Sequence, residues 1–243
     1  MNKKIPQHIA FILDGNRRWA RAQGLPTLQG HMEGMNNVER IGDWCIEAGV
    51  KYLTVYAFST ENWKRSQEEL NYLFTTVFDR AFVNKFKKFN EKNIKVNVFG
   101  ELEKFPEKMC KGMKDLVEQT RNNTGLIFNV CLNYGGRPEL VRAVKNIVKK
   151  GIPANKINEE VVANHLYSAG MPDPDLMIRT GGERRLSGFL LWQQAYTELY
   201  FPEVFLPGFS KNDFNKALAW YASRDRRHGG DSKKMQTEEV KTV

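Results

Sequence analysis

Apolar positions in this chain fall into short, nearly continuous runs separated by longer amphipathic stretches. The short runs lie at 8–13 (HIAFIL), 52–58 (YLTVYAF), 94–99 (IKVNVF), 126–132 (LIFNVCL), 175–179 (DLMIR) and 199–202 (LYFP). Near-continuous apolar runs of this length predict strands covered on both faces. Between them, apolar residues recur at helical spacing over 32–48, 67–91, 106–121, 138–150, 158–168 and 210–224. The βαβα order predicts an α/β domain with a mostly parallel six-stranded sheet flanked by helices. No repeat, linker or change of composition divides it, so the domain is placed at 1–230. The tail 231–243 (DSKKMQTEEVKTV) is charged, poor in core formers and expected to be disordered.

The pattern at 67–91 carries an unusually wide stripe: Leu70, Leu73, Phe74, Val77, Phe78, Ala81, Phe82, Phe86 and Phe89. Ordinary core packing and one wall of a long apolar cavity both account for it.

Charge changes the picture. Among 243 residues, Lys and Arg total 37 against 28 Asp and Glu, a formal charge of +9. Such an excess suits a polyanionic partner: nucleic acid, an anionic membrane surface or a phosphorylated metabolite. Cys45, Cys110 and Cys131 stand apart without a CxxC, as expected of thiols in a reducing compartment. The N-terminal MNKKIPQ lacks the apolar region of a signal peptide, and no run approaches the ~20 apolar residues of a membrane span. A cytoplasmic protein is expected.

In parallel α/β sheets, ligands bind beyond the carboxyl ends of the strands. Four predicted strands end in DGNRR (Asp14 to Arg18), STENWKR (Ser59 to Arg65), NYGGR (Asn133 to Arg137) and RTGGERRLS (Arg179 to Ser187). Arginine grips phosphate oxygens in pairs, and Gly15 lets the backbone approach closely. An acid in such a cradle fits a divalent cation bridging it to phosphate, since Mg²⁺ takes one or two carboxylates plus phosphate oxygens. Helix capping by Asp14, paired with Arg18, is the alternative. There is no GxxxxGK[ST], no GxGxxG after a strand and no DDxxD pair. Basic residues are not interleaved with aromatics as in a single-strand nucleic-acid binder, so no nucleic-acid partner is expected.

Together with GH at Gly30–His31, YAFSTENWKR, DLMIRTGGERRLSGFLLWQQAYTELYF and RDRRHGG, these stretches resemble the cis-prenyltransferases from His8 to Gly230, in the family's order. The resemblance implies condensation of isopentenyl diphosphate with an allylic diphosphate, usually farnesyl diphosphate, to a long cis-polyprenyl diphosphate; a short- or medium-chain product is the alternative. It implies Mg²⁺ held by Asp14 and Glu198, and catalytic roles for Asp14 and Asn62. It implies substrate contacts from Gly15, Asn16, Arg17, Arg18, Trp19, His31, Ser59, Thr60, Glu61, Trp63 and Arg65. Arg179, Arg185, Leu186 and Ser187 would receive isopentenyl diphosphate. The wide stripe would then line a tunnel between sheet and helices, and the product would bring peripheral membrane contact. A homodimer is implied, with Arg227-His228-Gly229 reaching the neighbouring site. Thr27, Gly188 and Ser66 depart from the usual Arg, Asn and Pro.

Overall fold

A computed structural model describes residues 4–82 and 86–226; the expected tail, 231–243, and Arg227-His228-Gly229 lie outside them. Six strands, β1 (His8–Ile12), β2 (Tyr52–Ser59), β3 (Lys95–Phe99), β4 (Ile127–Tyr134), β5 (Leu176–Arg179) and β6 (Glu198–Tyr200), form one sheet in the order β3-β4-β2-β1-β5-β6. Every pairing is parallel. The helices are α1 (Asn16–Ala22), α2 (Gln29–Ala48), α3 (Gln67–Tyr72), α4 (Phe78–Phe82), α5 (Phe86–Glu91), α6 (Glu107–Thr120), α7 (Gly136–Lys149), α8 (Glu159–Ala163) and α9 (Lys211–Ala222).

The continuous apolar runs have a simple cause. Alternate strand residues point to opposite faces, and both faces are buried. Ile9, Phe11, Leu53, Val55, Val130 and Ile178 pack beneath α2, α6 and α9, while Ala10, Ile12, Tyr56, Cys131 and Met177 pack against Phe189 and Leu190. The chain leaves β1 toward β2 and leaves β5 toward β6, in opposite directions across the sheet. The neighbouring ends of β1 and β5 therefore form the crevice where α/β sheets place their ligands.

Two helical expectations change. The 67–91 pattern is interrupted by a π-helical turn, Leu73–Val77, between α3 and α4; such turns add a residue and re-aim the side chains around it. The 158–168 pattern stops at Ala163, because the segment turns at buried Leu166 and then meets Gly170 at φ 79° and Pro172.

A buried polar chain crosses four strands. Asn97 Nδ2 donates to Asn129 Oδ1 (2.9 Å), and Asn129 Nδ2 to Thr54 Oγ1 (2.9 Å). His8 Nε2 lies 2.8 Å from Thr54 Oγ1, and its Nδ1 lies 2.8 Å from the Pro172 carbonyl. Nδ1 therefore carries the proton, and Nε2 accepts from threonine. Burial pulls the imidazole down from 6.5 to about 4. Between those values the unfolded chain binds a proton that the native state refuses. Stability is thus full above pH 6.5 and falls as pH drops toward 4, by roughly 3 kcal/mol from His8 alone. His8→Gln should flatten that part of the stability–pH curve in urea unfolding; an unchanged slope would remove His8 as its cause.

Candidate active site

β1 ends at Ile12, and two residues on, after Asp14, Gly15 at φ 100° turns the backbone left-handed and starts α1. No side chain could replace it there. A Cβ would stand 2.7 Å from Phe205 Cδ1. The turn holds the Asp14 carboxylate in a ring of donors. Oδ1 accepts from Gly15 N (2.6 Å) and Arg18 Nη2 (3.1 Å), and Oδ2 accepts from Arg179 Nη2 (2.8 Å) at the end of β5. Thr180 Oγ1 donates to the Asp14 carbonyl (2.7 Å). Burial opposes ionisation of Asp14, but the Arg179 hydrogen bond and the charges of Arg179 and Arg18 outweigh it and hold the carboxyl below its ordinary range. The Arg18 pairing expected of a capping acid is present, but α1 has no side-chain cap.

Arg179 ties the two halves of the site together. Its side chain is 5% exposed. Besides Asp14 it donates to Ser187 Oγ (2.9 Å) and to the Arg185 carbonyl. This pins a loop in which Ser187 takes φ 50° and Gly188 φ 80°. Glycine at 188 meets that backbone without strain. Arg185 is exposed beside Glu183, and Leu186 is half-buried against Phe189 and its neighbours.

A cavity of about 400 Å³ opens in front of α1. Its mouth is polar: Asp14 to Arg18, Arg21, His31 and Arg65 line it. Its interior is apolar, with Met35, Ala57, Leu73, Val77, Phe78 and Leu206. Ala57 sits at an irregularity in the β2–β4 register, between Tyr56 and Phe58; a bulge of this kind re-aims a side chain. Phe74 belongs instead to an aromatic cluster with Phe58, Trp63 and Phe105. The wide stripe thus divides between core and cavity wall.

Of the remaining expected residues, Ser59 N donates to Asn62 Oδ1 (3.1 Å) and Thr60 Oγ1 to the exposed Glu61 (3.1 Å), in a short turn after β2. Trp63 donates to Asn133 Oδ1 (2.8 Å), and Trp19 lies beside Gly208. Neither indole lines the cavity. Glu198 opens β6 rather than ending it. It is level with Leu176 and Ile9, about 16 Å along the strand direction from Asp14. One chain therefore does not bring Glu198 to Asp14; its carboxylate pairs with Arg224 (3.2 Å).

Glu69 was missed by sequence reasoning. It is 5% exposed on α3 and gathers three cavity-facing groups: His31 Nε2 (3.0 Å), Arg65 Nη1 (3.1 Å) and Arg17 Nη1 (3.4 Å). Burial, followed by the Arg65 charge, lowers the His31 pKa, so a neutral imidazole donates to Glu69. The available signal was Ser66, which caps α3 by accepting from Glu69 N (3.3 Å) and so fixes the carboxylate's place on the helix. Gly30 and Gly34 were also underrated: a Cβ at either would meet Asn16, at 2.0 and 2.2 Å.

Among the described residues, no group of three His, Cys, Asp or Glu converges on a metal position. Among the described residues, Asp14 is the one acid lining the cavity. That donor set fits a hard cation that takes most of its oxygens from a phosphorylated ligand and water, and does not fit an all-protein cage.

Comparison with known proteins agrees with this geometry. Residues 12–229 match the prenyltransferase family described as "Putative undecaprenyl diphosphate synthase". An isoprenyl transferase of Clostridium perfringens is 46% identical over 93% of this chain and 91% of its own. A tritrans,polycis-undecaprenyl-diphosphate synthase (geranylgeranyl-diphosphate specific) of Thermoplasma volcanium is 46% identical over 92% of this chain and 89% of its own. Lavandulyl diphosphate synthase from Lavandula x intermedia, solved with dimethylallyl diphosphate, superposes with a TM-score of 0.87 at 33% identity, covering 91% of this chain and 97% of that one. Similarity of this extent in both sequence and fold shows that the chain belongs to this prenyltransferase family and is an isoprenyl-transferring enzyme.

Proposed function

We propose that the enzyme condenses isopentenyl diphosphate repeatedly with an allylic diphosphate, farnesyl diphosphate, to make undecaprenyl diphosphate for a cell-wall lipid carrier. The observation that carries this reading is a cavity that joins a cationic mouth to an apolar interior. An allylic diphosphate has that shape: a dianionic or trianionic head on a hydrocarbon tail. Arg17, Arg18, Arg21 and Arg65 would grip the head, with α1 amides beside them. The tail would run past Ala57 toward Val77 and Phe78. Arg185 and Ser187, on the loop pinned by Arg179, would receive isopentenyl diphosphate next to it.

In the reaction the allylic carbon–oxygen bond breaks, a carbon–carbon bond forms and isopentenyl diphosphate loses one proton. Charge develops on the departing diphosphate, where preorganised cations stabilise it. Asp14 would hold Mg²⁺, which when bound supplies further neutralisation of the leaving group's charge. Asn62, held by the Ser59 backbone, would orient a diphosphate oxygen or water toward the proton to be lost; an amide is too weak a base to take it. Trp63 would support the site by packing, and Glu198 would serve a metal only from outside its own chain's site.

The homodimer has a surface that suits it. Val141, Val144 and Val148 are 54%, 56% and 70% exposed along one side of α7. No described helix is long and apolar enough to cross a membrane. A cytoplasmic enzyme would meet the membrane through its apolar product.

Radiolabelled isopentenyl diphosphate supplied with dimethylallyl, farnesyl or geranylgeranyl diphosphate tests the reading directly. Incorporation should be greatest with farnesyl diphosphate, vanish with EDTA and return with Mg²⁺. No incorporation with any primer would overturn it. Ala57→Leu should shorten the product, because the added carbons enter the cavity where the tail passes. Chromatography of the dephosphorylated products checks this; an unchanged length would place the tail elsewhere.

A further inference from the structure

Asn37 is an amide in an unusual place. It lies in the middle of α2, beside Val38 and one turn from Ile41, and is completely buried. Asparagine is a poor helix former, and a buried amide is costly unless it is hydrogen-bonded. Here Nδ2 donates to the carbonyls of Leu206 (2.6 Å) and Phe209 (2.7 Å), and Oδ1 accepts from Arg40 Nε (2.9 Å). The amide can face only this way, since carbonyls accept and a guanidinium donates. Both carbonyls belong to a tight turn, Leu206–Gly208, and the residue after it.

The other side of that turn backs the phosphate cradle. Leu206 N donates to the Asp14 carbonyl (3.0 Å), so the peptide groups of one residue join α2 to the candidate acid. Phe205, which opens the turn, closes the rear of Gly15: a Cβ added at Gly15 would stand 2.9 Å from Phe205 Cβ and 3.0 Å from its Cα. The Phe205 ring also seats the Arg18 guanidinium, whose Cζ lies 5.2 Å from the ring centre. Arg18 meanwhile donates to Asp14 Oδ1, the Gly181 carbonyl and Glu183 Oε1. Attaching the turn to the core needs only apolar cover, which Phe209 supplies edge-on against Phe11 (5.4 Å). The buried amide adds direction. Apolar contact lets a segment slide, whereas two hydrogen bonds from one rigid group allow one placement of the turn, and with it one placement of Gly15 and Arg18.

We propose that Asn37 and Phe205 are positioning residues for the allylic diphosphate: through the turn at 205–209 they hold Gly15 and Arg18 where the head group is received. This rests on the reading of the cavity mouth as the site of that head group. Neither residue lines the cavity, so both act through the groups they hold. Their contribution is preorganisation. A cradle already in place spends no binding energy on ordering itself, and a binding group displaced by about 1 Å can cost 10²-fold. Isopentenyl diphosphate supplies the internal reference. It would sit on the loop pinned by Arg179, and the hydrogen bonds that pin that loop involve neither Asn37 nor Phe205.

The test is the KM of each substrate, with thermal melts, in four variants. Asn37→Leu keeps the volume and removes both donors; it should raise the KM for farnesyl diphosphate about tenfold or more. Phe205→Leu keeps the apolar cover and removes the ring face. It should raise the same KM about two- to fivefold, the worth of a partly exposed cation–π contact, and it keeps the test decisive if Asn37→Leu does not fold. Phe205→Tyr keeps the ring and should stay near wild type. The KM for isopentenyl diphosphate should be unchanged in all three. Ile41→Val trims the same core one turn along α2, so it should lower the Tm and leave both KM values alone. An unchanged farnesyl diphosphate KM in folded Asn37→Leu or Phe205→Leu would overturn the proposal. So would equal rises for the two substrates, a Phe205→Tyr variant as impaired as Phe205→Leu, or a like rise in Ile41→Val. Wild-type protein that neither binds farnesyl diphosphate nor incorporates isopentenyl diphosphate would instead overturn the underlying reading.

Discussion

Asp14→Asn should lower kcat by roughly 10²–10⁴-fold while leaving the KM for the allylic diphosphate unchanged or lower. The carboxylate sits among cations that would bind the diphosphate, so on its own it repels that ligand. Removing its charge cannot weaken the initial ion pairing. What the variant loses is the acid that would hold Mg²⁺ while charge develops on the leaving group. Asparagine is the informative replacement because it keeps the side chain's shape and one acceptor oxygen, enough for Arg179 or Arg18 though not for both. Asp14→Ala should cost stability as well. It strands the Arg179 guanidinium, which is 5% exposed. Losing one partner of a buried pair costs about 3–5 kcal/mol, less here because the Asp14 side chain is 27% exposed. Steady-state kinetics and thermal melts of the two variants separate these effects. Near wild-type kcat in Asp14→Asn would exclude the acid from the chemistry.

Gly30→Ala should damage both stability and primer binding, although the residue carries no functional group. Gly30 lies in α2, where alanine is normally the better helix former by about 1 kcal/mol. Here the added Cβ would fall 2.0 Å from the Asn16 carbonyl oxygen and 2.7 Å from its carbonyl carbon. Both atoms are backbone, so α1 itself has to shift. Overpacking of this kind costs about 1–3 kcal/mol, and displacing a binding group by about 1 Å can cost 10²-fold in rate. The expected signature is a Tm lowered by several degrees and an allylic diphosphate KM raised about tenfold or more. Gly42→Ala, on the same helix with open space around it, should be neutral or stabilising. Equal effects from both substitutions would mean that helix propensity, and not the α1–α2 approach, governs Gly30.

The strands and their burial could be read from the chain because a doubly covered parallel strand leaves a local mark: continuous apolar character over five to eight residues. All six expected strands are present, within two residues at their ends. The grouping of Asp14, Ser59, Asn133 and Arg179 at one sheet edge followed from the same reading, since parallel strands end on the same side. Helix interiors were less legible. The π-helical turn at Leu73–Val77 and the early end of α8 depend on how neighbouring segments pack, and helical periodicity does not encode that.

Pairwise partners were decided by tertiary structure alone. The Ser66 cap marks the place of Glu69 on α3, but only the packing of α3 onto α2 makes it the acceptor for His31, Arg65 and Arg17. Nothing local separates Glu198, in an apparent strand-end motif, from a site acid; the parallel register places it at the opposite edge of the sheet from Asp14. Nor could periodicity divide the 67–91 stripe between an aromatic core around Phe74 and a cavity wall at Leu73, Val77 and Phe78. Sequence by itself determined which residues are buried and which chemistry gathers at the strand ends, because hydrophobicity and strand polarity are properties of short segments. The three-dimensional arrangement decided which charges meet and where empty space remains, because both depend on distances between segments far apart along the chain.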